Sequence, residues 1–410
     1  MKKLLLPILT LGLLTFSLQS CKDKCDNCAA NETCVDGECV ANEPAEDVQV
    51  TTNITADTHW TADNIYVLTK RVYVESGATL TIDPGTVIKG ETGTGTNSKA
   101  LIVSQGGRIL AEGTAALPII FTSVNDNITP EQVATGDFTS PNLSPTQQGL
   151  WGGVIILGNA KISASATSVQ MEGIPTSETA IYGGTNDDDD SGILKYVSIR
   201  HTGTDIGTGN EIQALSLGGV GRGTVIENIE LVCSKDDGVE FFGGAVNVTN
   251  ALVWNVGDDG LDTDQGYSGT VTNFLVITPG GSALELDGPE GAPLANGNHT
   301  FNKGYIYGCT DYLVDCDDDT NVDITNIYFN GVPSGDTLVA SIGDVIAAGS
   351  TISNWQYTMN STYNASAVFY EVPATNLTSV AANAFTTGFD ASVFGWTWAS
   401  QYGELSNIGL

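Results

Sequence analysis

Two acidic pairs carry most of the chemistry that this sequence can offer. Asp236 and Asp237 open the run Lys235-Asp236-Asp237-Gly238, and Asp258 and Asp259 open the matching run Gly257-Asp258-Asp259-Gly260. Asp262 and Asp264 follow the second pair on alternate residues. Carboxylates gathered in this way suit two tasks. As hard oxygen ligands they can hold calcium in an exported protein. Brought to about 5–5.5 Å, two of them can also act as the nucleophile and acid/base of a retaining glycosidase. The spacing does not match the helix-loop-helix or the nonapeptide calcium motifs. The residues therefore do chemistry only if the fold stacks them.

The surrounding pattern does stack them. GVEFFGG (238–244), GLDTDQG (260–266), ALELDG (283–288) and LVDCD (313–317) align, and ALSLGG (214–219) fits the same slot. Each is preceded by a second strand-like run: IENIELV, VTNALVW, VTNFLVI and FNKGYIY, with ITNIYFN continuing the column. Asn228, Asn250, Asn273, Asn326 and Asn354 recur at one point of this run, and Lys303 takes the slot once. A step near 22 residues built from β-branched and aromatic runs is one coil of a β-solenoid. The fold class is therefore all-β, a parallel β-helix. The Asn column reads as structural, its amides bonding from coil to coil.

Alternation assigns the faces. Leu284 and Leu286 point inward, while Glu285 and Asp287 point outward. The same parity sends out Glu240, Asp262 and Asp315 in one column and Asp264, Asp287 and Asp317 in the next. Coils lie about 4.8 Å apart, so this is an acidic ladder. Like charges at that distance repel. Protonation, Lys235, Lys303 or bound calcium can offset the repulsion, and the candidate ligands are Asp236, Asp237, Asp258, Asp259, Asp262 and Asp264. On the neighbouring sheet the outward positions are Leu252, Trp254, Leu275, Ile277, Tyr305, Tyr307 and Tyr328. Either a loop or the C-terminal segment covers this strip, or it is a bare binding surface. In the second case Trp254, Tyr305, Tyr307 and Tyr328 are the anchors for a glycan or a protein partner.

Charge narrows the partners. Lys plus Arg number 15 against 48 Asp plus Glu, a formal net charge of −33. Such a chain is repelled by nucleic acid and by anionic membrane surfaces. Cations, a neutral polymer such as a glycan, or another protein fit better.

The start of the chain is a processing segment. Lys2 and Lys3 precede an apolar run from Leu4 to Phe16, too short for an ordinary membrane span. Ser17-Leu18-Gln19-Ser20-Cys21 resembles a bacterial lipobox. That resemblance implies a signal peptide over 1–20 and a lipidated Cys21, hence an outer-membrane anchor, with the cell surface preferred over the periplasmic face. Cys25, Cys28, Cys34 and Cys39 form a compact cluster. In an exported chain two disulfides are the natural reading, with three connectivities open, and zinc is the alternative. Cys309 and Cys316 either pair or stay as thiols, Cys316 in a buried slot.

Residues 21–58 read as the lipidated cysteine, the Cys-rich segment and a tether, 59–358 as the β-helix and 359–410 as a cap. Two irregular stretches interrupt the coils, at 122–149 and about 162–190. The second ends in Asp187–Asp190, where a solvated loop and a calcium site are the alternatives. In the tail, Leu377–Phe385 reads as a short helix and Phe394–Trp398 as an aromatic plug over the last coil.

ESGATLTIDPGTVIKG (75–90), GLWGGVIILGNAKI (149–162), KDDGVEFFGGAVNV (235–248) and GDDGLDTDQGYSG (257–269) resemble a largely uncharacterised family of Bacteroidota surface or outer-membrane lipoproteins. The likeness covers about 60–410 and implies a right-handed parallel β-helix related in fold to pectate lyases. Asp258–Asp264 also resembles the aspartate-rich motifs of polygalacturonases. The rest of that constellation is missing: none of His59, His201 and His299 is followed by Gly, and no Arg-Ile-Lys follows. The four arginines, at 71, 108, 200 and 222, lie outside the acidic coils. The sequence thus favours a binding or assembly module at the cell surface for a glycan, an envelope protein or a host surface. A polysaccharide lyase or hydrolase using Asp236, Asp237, Asp258 and Asp259 is the alternative.

Overall fold

The computed structural model describes residues 32–35, 38–41, 45–207, 210–291, 297–317 and 319–410. The chain divides at Glu43/Pro44. On the N-terminal side, Glu32–Val35 and Glu38–Ala41 form an antiparallel hairpin with Cys34 opposite Cys39, and Cys39 is disulfide-bonded. The segment 1–20 and Cys21, Cys25 and Cys28 lie outside the described residues.

From Glu46 onward the chain is a stack of parallel coils. One sheet of eight short strands runs from Val72–Val74 through Ala100–Val103, Gly153–Leu157, Leu215–Gly218, Val239–Phe242, Leu261–Asp264 and Leu284–Leu286 to Asp315–Cys316. A second, 16-stranded sheet includes the long strands Gly192–Arg200, Val225–Val232, Asn247–Trp254, Thr270–Ile277, His299–Tyr307 and Val322–Asn330. Each long strand bends in its middle, Gly192–Arg200 at Tyr196 (φ 50°) and the others at the Asn column. Asn228, Asn250, Asn273, Lys303, Asn326 and Asn354 all have φ between 51° and 61°, and from Asn228 to Asn326 the ladder pairing skips that residue. Asn is the residue that tolerates this left-handed conformation best after Gly. The amides also stitch the coils: Asn250 Nδ2 donates to Asn228 Oδ1 at 2.9 Å, and Asn273 Nδ2 to Asn250 Oδ1 at 2.7 Å. Where Lys303 interrupts the column, Asn326 reaches Asn302 instead, at 2.8 Å.

The inward residues, among them Ile229, Leu231, Val253, Val276, Leu284, Leu286 and Ile306, form one continuous core. The outward apolar positions belong to separate cores made by segments folded back over the sheets. The stretch 162–182 lies on the N-terminal half of the short-strand sheet, packing Ile162, Met171, Ile174 and Tyr182 on Ala100, Ile102, Ile155 and Leu157. Phe389, Phe394, Trp398, Leu405 and Ile408 cover Leu252, Trp254, Leu275, Ile277, Tyr305 and Tyr328.

The strip is therefore not a bare binding surface. Trp254 is 2 % exposed and Tyr305 and Tyr328 are 0 % exposed, while Tyr307 is half-buried at its margin. The expected tether is shorter than 21–58, because Glu46–Val50 pairs in parallel with Asn64–Leu68 as an edge strand. In the tail, Leu377–Ser379 is a strand paired with Trp355–Tyr357, not part of a helix. Phe394 and Trp398 seal the side of the solenoid, while Phe369 closes its end against Phe329, Trp355 and Tyr357. Cys309 and Cys316 are both free thiols, Cys316 buried in its inward slot.

Candidate functional site

The acidic residues collect where the turns lead into the short strands. In-register stacking sets Glu240 beside Asp262, Asp262 beside Glu285, and Glu285 beside Asp315. The Asp pairs split their duties within this stack. Asp237 and Asp259 turn into the protein and stitch successive coils. The N–H of Asp259 donates to Asp237 Oδ1 at 2.8 Å, and the N–H of Ser282 donates to Asp259 Oδ1. Asp236 stays half-buried and Asp258 exposed at the rim.

Two sets of three carboxylates then converge. Asp236, Asp237 and Asp258 each offer an oxygen within 4.8 Å of the others, and so do Asp237, Glu240 and Asp262. Asp237 belongs to both. Glu240 is 7 % exposed and accepts no hydrogen bond from the protein among the described residues, so its charge has no donor facing it. Gly281 keeps the rim open: a Cβ there would lie 2.4 Å from Asp258 Oδ1 and 2.6 Å from Asp259 Oδ1. None of the ion pairs among the described residues reaches Asp236, Asp237, Glu240, Asp258 or Asp262. Lys235, the nearest base in sequence, is turned to Asp205, and Lys303 lies beside Gly388.

Burial among like charges drives these carboxyls upward, the expected direction when the charged form is both desolvated and repelled. Asp237, Glu240 and Asp262 are held well above the ordinary carboxylate range. Asp236 is pushed up to about 8 and Asp258 to about 6, in each case by burial first. Glu285 rises to about 9 because it shares a hydrogen bond with Asp259 and is buried beside it. Hard oxygen donors without a counter-ion are the donor set that a divalent cation such as calcium prefers. The residues present thus fit such an ion.

Of the six sequence candidates, four meet in these sets: Asp236, Asp237, Asp258 and Asp262. Asp259 falls outside both sets, its Oδ1 accepting from the Ser282 N–H, and Asp264 lies in the next column, where Oδ1 accepts from the Gln265 N–H at 2.7 Å. Two contributors were not legible as site residues. Glu240 stood in the outward column but away from the paired aspartates. Glu172 arrives from the aperiodic 162–190 stretch; Gln213 Nε2 donates to Glu172 Oε1 and Asp236 Oδ2, both at 3.3 Å. Burial raises Glu172 to about 7. The Asp187–Asp190 run is largely spoken for by cations. Asp187 pairs with Lys161, Asp188 with Arg222 and Asp190 with Arg108, so three of its four carboxylates face a basic side chain.

A parallel β-helix with an acidic row along its short-strand sheet is the class that this geometry defines. Residues 52–396 match the model of the pectate-lyase like beta helix domain, and the chain belongs to that family. Neither a curated protein nor a solved structure matches the chain.

Proposed function

We propose that this chain is a lipid-anchored binding module of the bacterial outer-membrane surface, of the kind exported by Bacteroidota, whose acidic turns take calcium and whose partner is a glycan or an envelope protein. The observation that supports it is the sharing of Asp237 between two carboxylate triads, with no basic side chain among the described residues paired to either. The lipobox-like Ser17–Cys21 supports the anchor. Binding is favoured over catalysis because Asp237 and Asp259, half of the candidate catalytic set, hold the backbone of the next coil.

One observation favours the second reading, a polysaccharide-degrading enzyme. Glu172, raised to about 7, shares Gln213 with Asp236 and is poised as an acid/base group at neutral pH. The two readings separate in one assay, in which the purified chain is incubated with a polysaccharide panel in calcium and in chelator. Calcium-dependent retention without new reducing or unsaturated ends is the expected result, and product formation overturns the binding reading. Cys21→Ser is expected to release the protein from the membrane fraction; unchanged retention, with no lipid on the wild type, contradicts the anchor.

A further inference from the structure

The amide ladder at the corners of the solenoid has a direction, and its first rung is unmatched. Asn354 Nδ2 donates to Asn326 Oδ1 at 2.7 Å, Asn273 Nδ2 to Asn250 Oδ1 at 2.7 Å and Asn250 Nδ2 to Asn228 Oδ1 at 2.9 Å. Each amide gives its N–H to the coil before it. At Asn228 the run ends, because the coil before it, Gly192–Arg200, places Tyr196 at the skipped position opposite Asn228. Asn228 is 7 % exposed, yet its Nδ2 donates to nothing among the described residues and stays within reach of solvent. Native structures rarely leave a buried polar group unmatched.

The unmatched amide lines a groove of about 530 Å³. Asn228 and Asn250 bring amides to it, and Tyr196, Phe138, Val393 and Trp396 bring apolar surface. Tyr196 and Trp396 meet there edge to face, their centroids 5.6 Å apart. No charged side chain lines the groove.

The molecule itself shows what such an amide can hold. Asn273 stands at the same ladder position two coils further along. It clamps the backbone of the C-terminal segment: Oδ1 accepts from the Asp390 N–H at 2.7 Å, and Nδ2 donates to the Asp390 carbonyl at 3.2 Å. The segment then runs on to Trp396 beside Tyr196, and among the described residues it makes no such bond to Asn250 or Asn228. Asn228 keeps both N–H groups of Nδ2 and one lone pair of Oδ1 unused. It can therefore hold a peptide unit as Asn273 holds Asp390.

We propose that this groove docks an extended peptide segment of a partner protein, its backbone clamped by Asn228 and an apolar side chain lodged against Tyr196 and Phe138. Main-chain bonds for affinity and a side-chain pocket for choice are a recurring mode of peptide recognition. The groove carries no charge of its own, and the net charge of −33 favours a segment with basic flanks. The site stands apart from the acidic turns and does not depend on whether they hold calcium.

The test is an array of octapeptides with lysine and serine flanks and every pair of amino acids at the centre, probed with the full chain, the best binders then titrated by fluorescence anisotropy. Peptides with an aromatic or aliphatic centre are expected to lead, with dissociation constants of about 1 mM or tighter. Asn228→Gly suits the left-handed backbone and removes the amide; it is expected to weaken binding about 2- to 10-fold for each hydrogen bond lost. Asn354→Gly breaks the ladder at its far end and is expected to bind as wild type does. Exchanging each central amide of a bound peptide in turn for an ester, a poorer acceptor without an N–H, is expected to cost a similar factor at one position. Ala115→Trp, which fills the groove from its exposed rim, is expected to abolish binding without lowering the melting temperature; if it fails to fold, the two glycine variants decide. No peptide bound at about 5 mM, far above a useful dissociation constant, overturns the proposal. So does wild-type affinity in folded Asn228→Gly, or an equal loss in Asn354→Gly. Cellotriose binding more tightly than any peptide, or self-association of the chain, either one blocked by Ala115→Trp, would put a sugar or a second copy in the groove and overturn it too.

Discussion

Trp254 and Trp398 meet edge to face, their ring centroids 6.0 Å apart. Trp254 belongs to a coil and Trp398 to the C-terminal segment, and their contact turns an outward aromatic strip into a seam. Around it the Ala399 N–H donates to the buried Glu230 carboxylate at 2.9 Å, and the Arg200 guanidinium sits 4.8 Å over the Trp398 ring. The Asp390 N–H adds a bond to Asn273 Oδ1 at 2.7 Å.

Trp398→Ala is expected to cost about 3–5 kcal/mol, as large-to-small changes of buried aromatics do. The loss should fall on the seam first, since the inner core is separate. Limited proteolysis is expected to cut within 385–410 while the coils stay resistant. Uniform digestion of coils and tail together would contradict a separable seam.

The Asn column makes a two-part prediction. Asn250→Ala loses its coil-to-coil amide bonds and leaves a Cβ in left-handed backbone without the polar side chain that lets Asn tolerate it, a strain of about 1–2 kcal/mol. Asn250→Gly loses the same bonds but relieves that strain. Denaturant unfolding should therefore rank wild type above Gly and Gly above Ala. Equal stability of the two variants would show that backbone geometry is not what selects Asn.

Without metal, stability should depend on pH in a set direction. Asp258 and Asp287 are raised to about 6, Glu172 and Asp264 to about 7, Asp236 to about 8 and Glu285 to about 9. Groups raised in the folded state stabilise it fully below their unfolded value, near 4, and that contribution is lost as pH rises through the folded values. Glu178 and Asp187 are lowered by Arg71 and Lys161 respectively, burial opposing in both, and act the other way, losing their contribution as pH falls below 4. In chelator the melting temperature should peak near pH 5 and decline toward pH 9. A flat profile across that range would mean that the acidic row carries no such strain.

Much of this molecule is written in its sequence. Leu284 and Leu286 against Glu285 and Asp287 gave the faces of the short strands from Val239–Phe242 to Asp315–Cys316, and the Asn228-to-Asn354 column marked the corners. Legibility fails where periodicity ends. Phe389, Phe394 and Trp398 follow no repeat, so nothing local says that they lie on Trp254. Glu172 comes from an irregular stretch whose position depends on tertiary packing alone. Glu46–Val50 reads as tether because an edge strand, paired on one side only, keeps polar residues.

The central claim is that Asp237 joins two carboxylate triads into a calcium site, and equilibrium dialysis of metal-stripped protein against radiolabelled calcium at pH 8 tests it most directly. Asp237→Asn removes the charge but keeps an oxygen for the Asp259 N–H, so the coil turn should survive. Wild type is expected to bind calcium saturably, at about 0.1–1 mM or tighter, the range of extracellular modules. Asp237→Asn is expected to lose at least about 10-fold in affinity, roughly 1.4 kcal/mol, while Asp264→Asn binds as wild type does. No saturable binding, or equal binding by wild type and Asp237→Asn, would contradict the account.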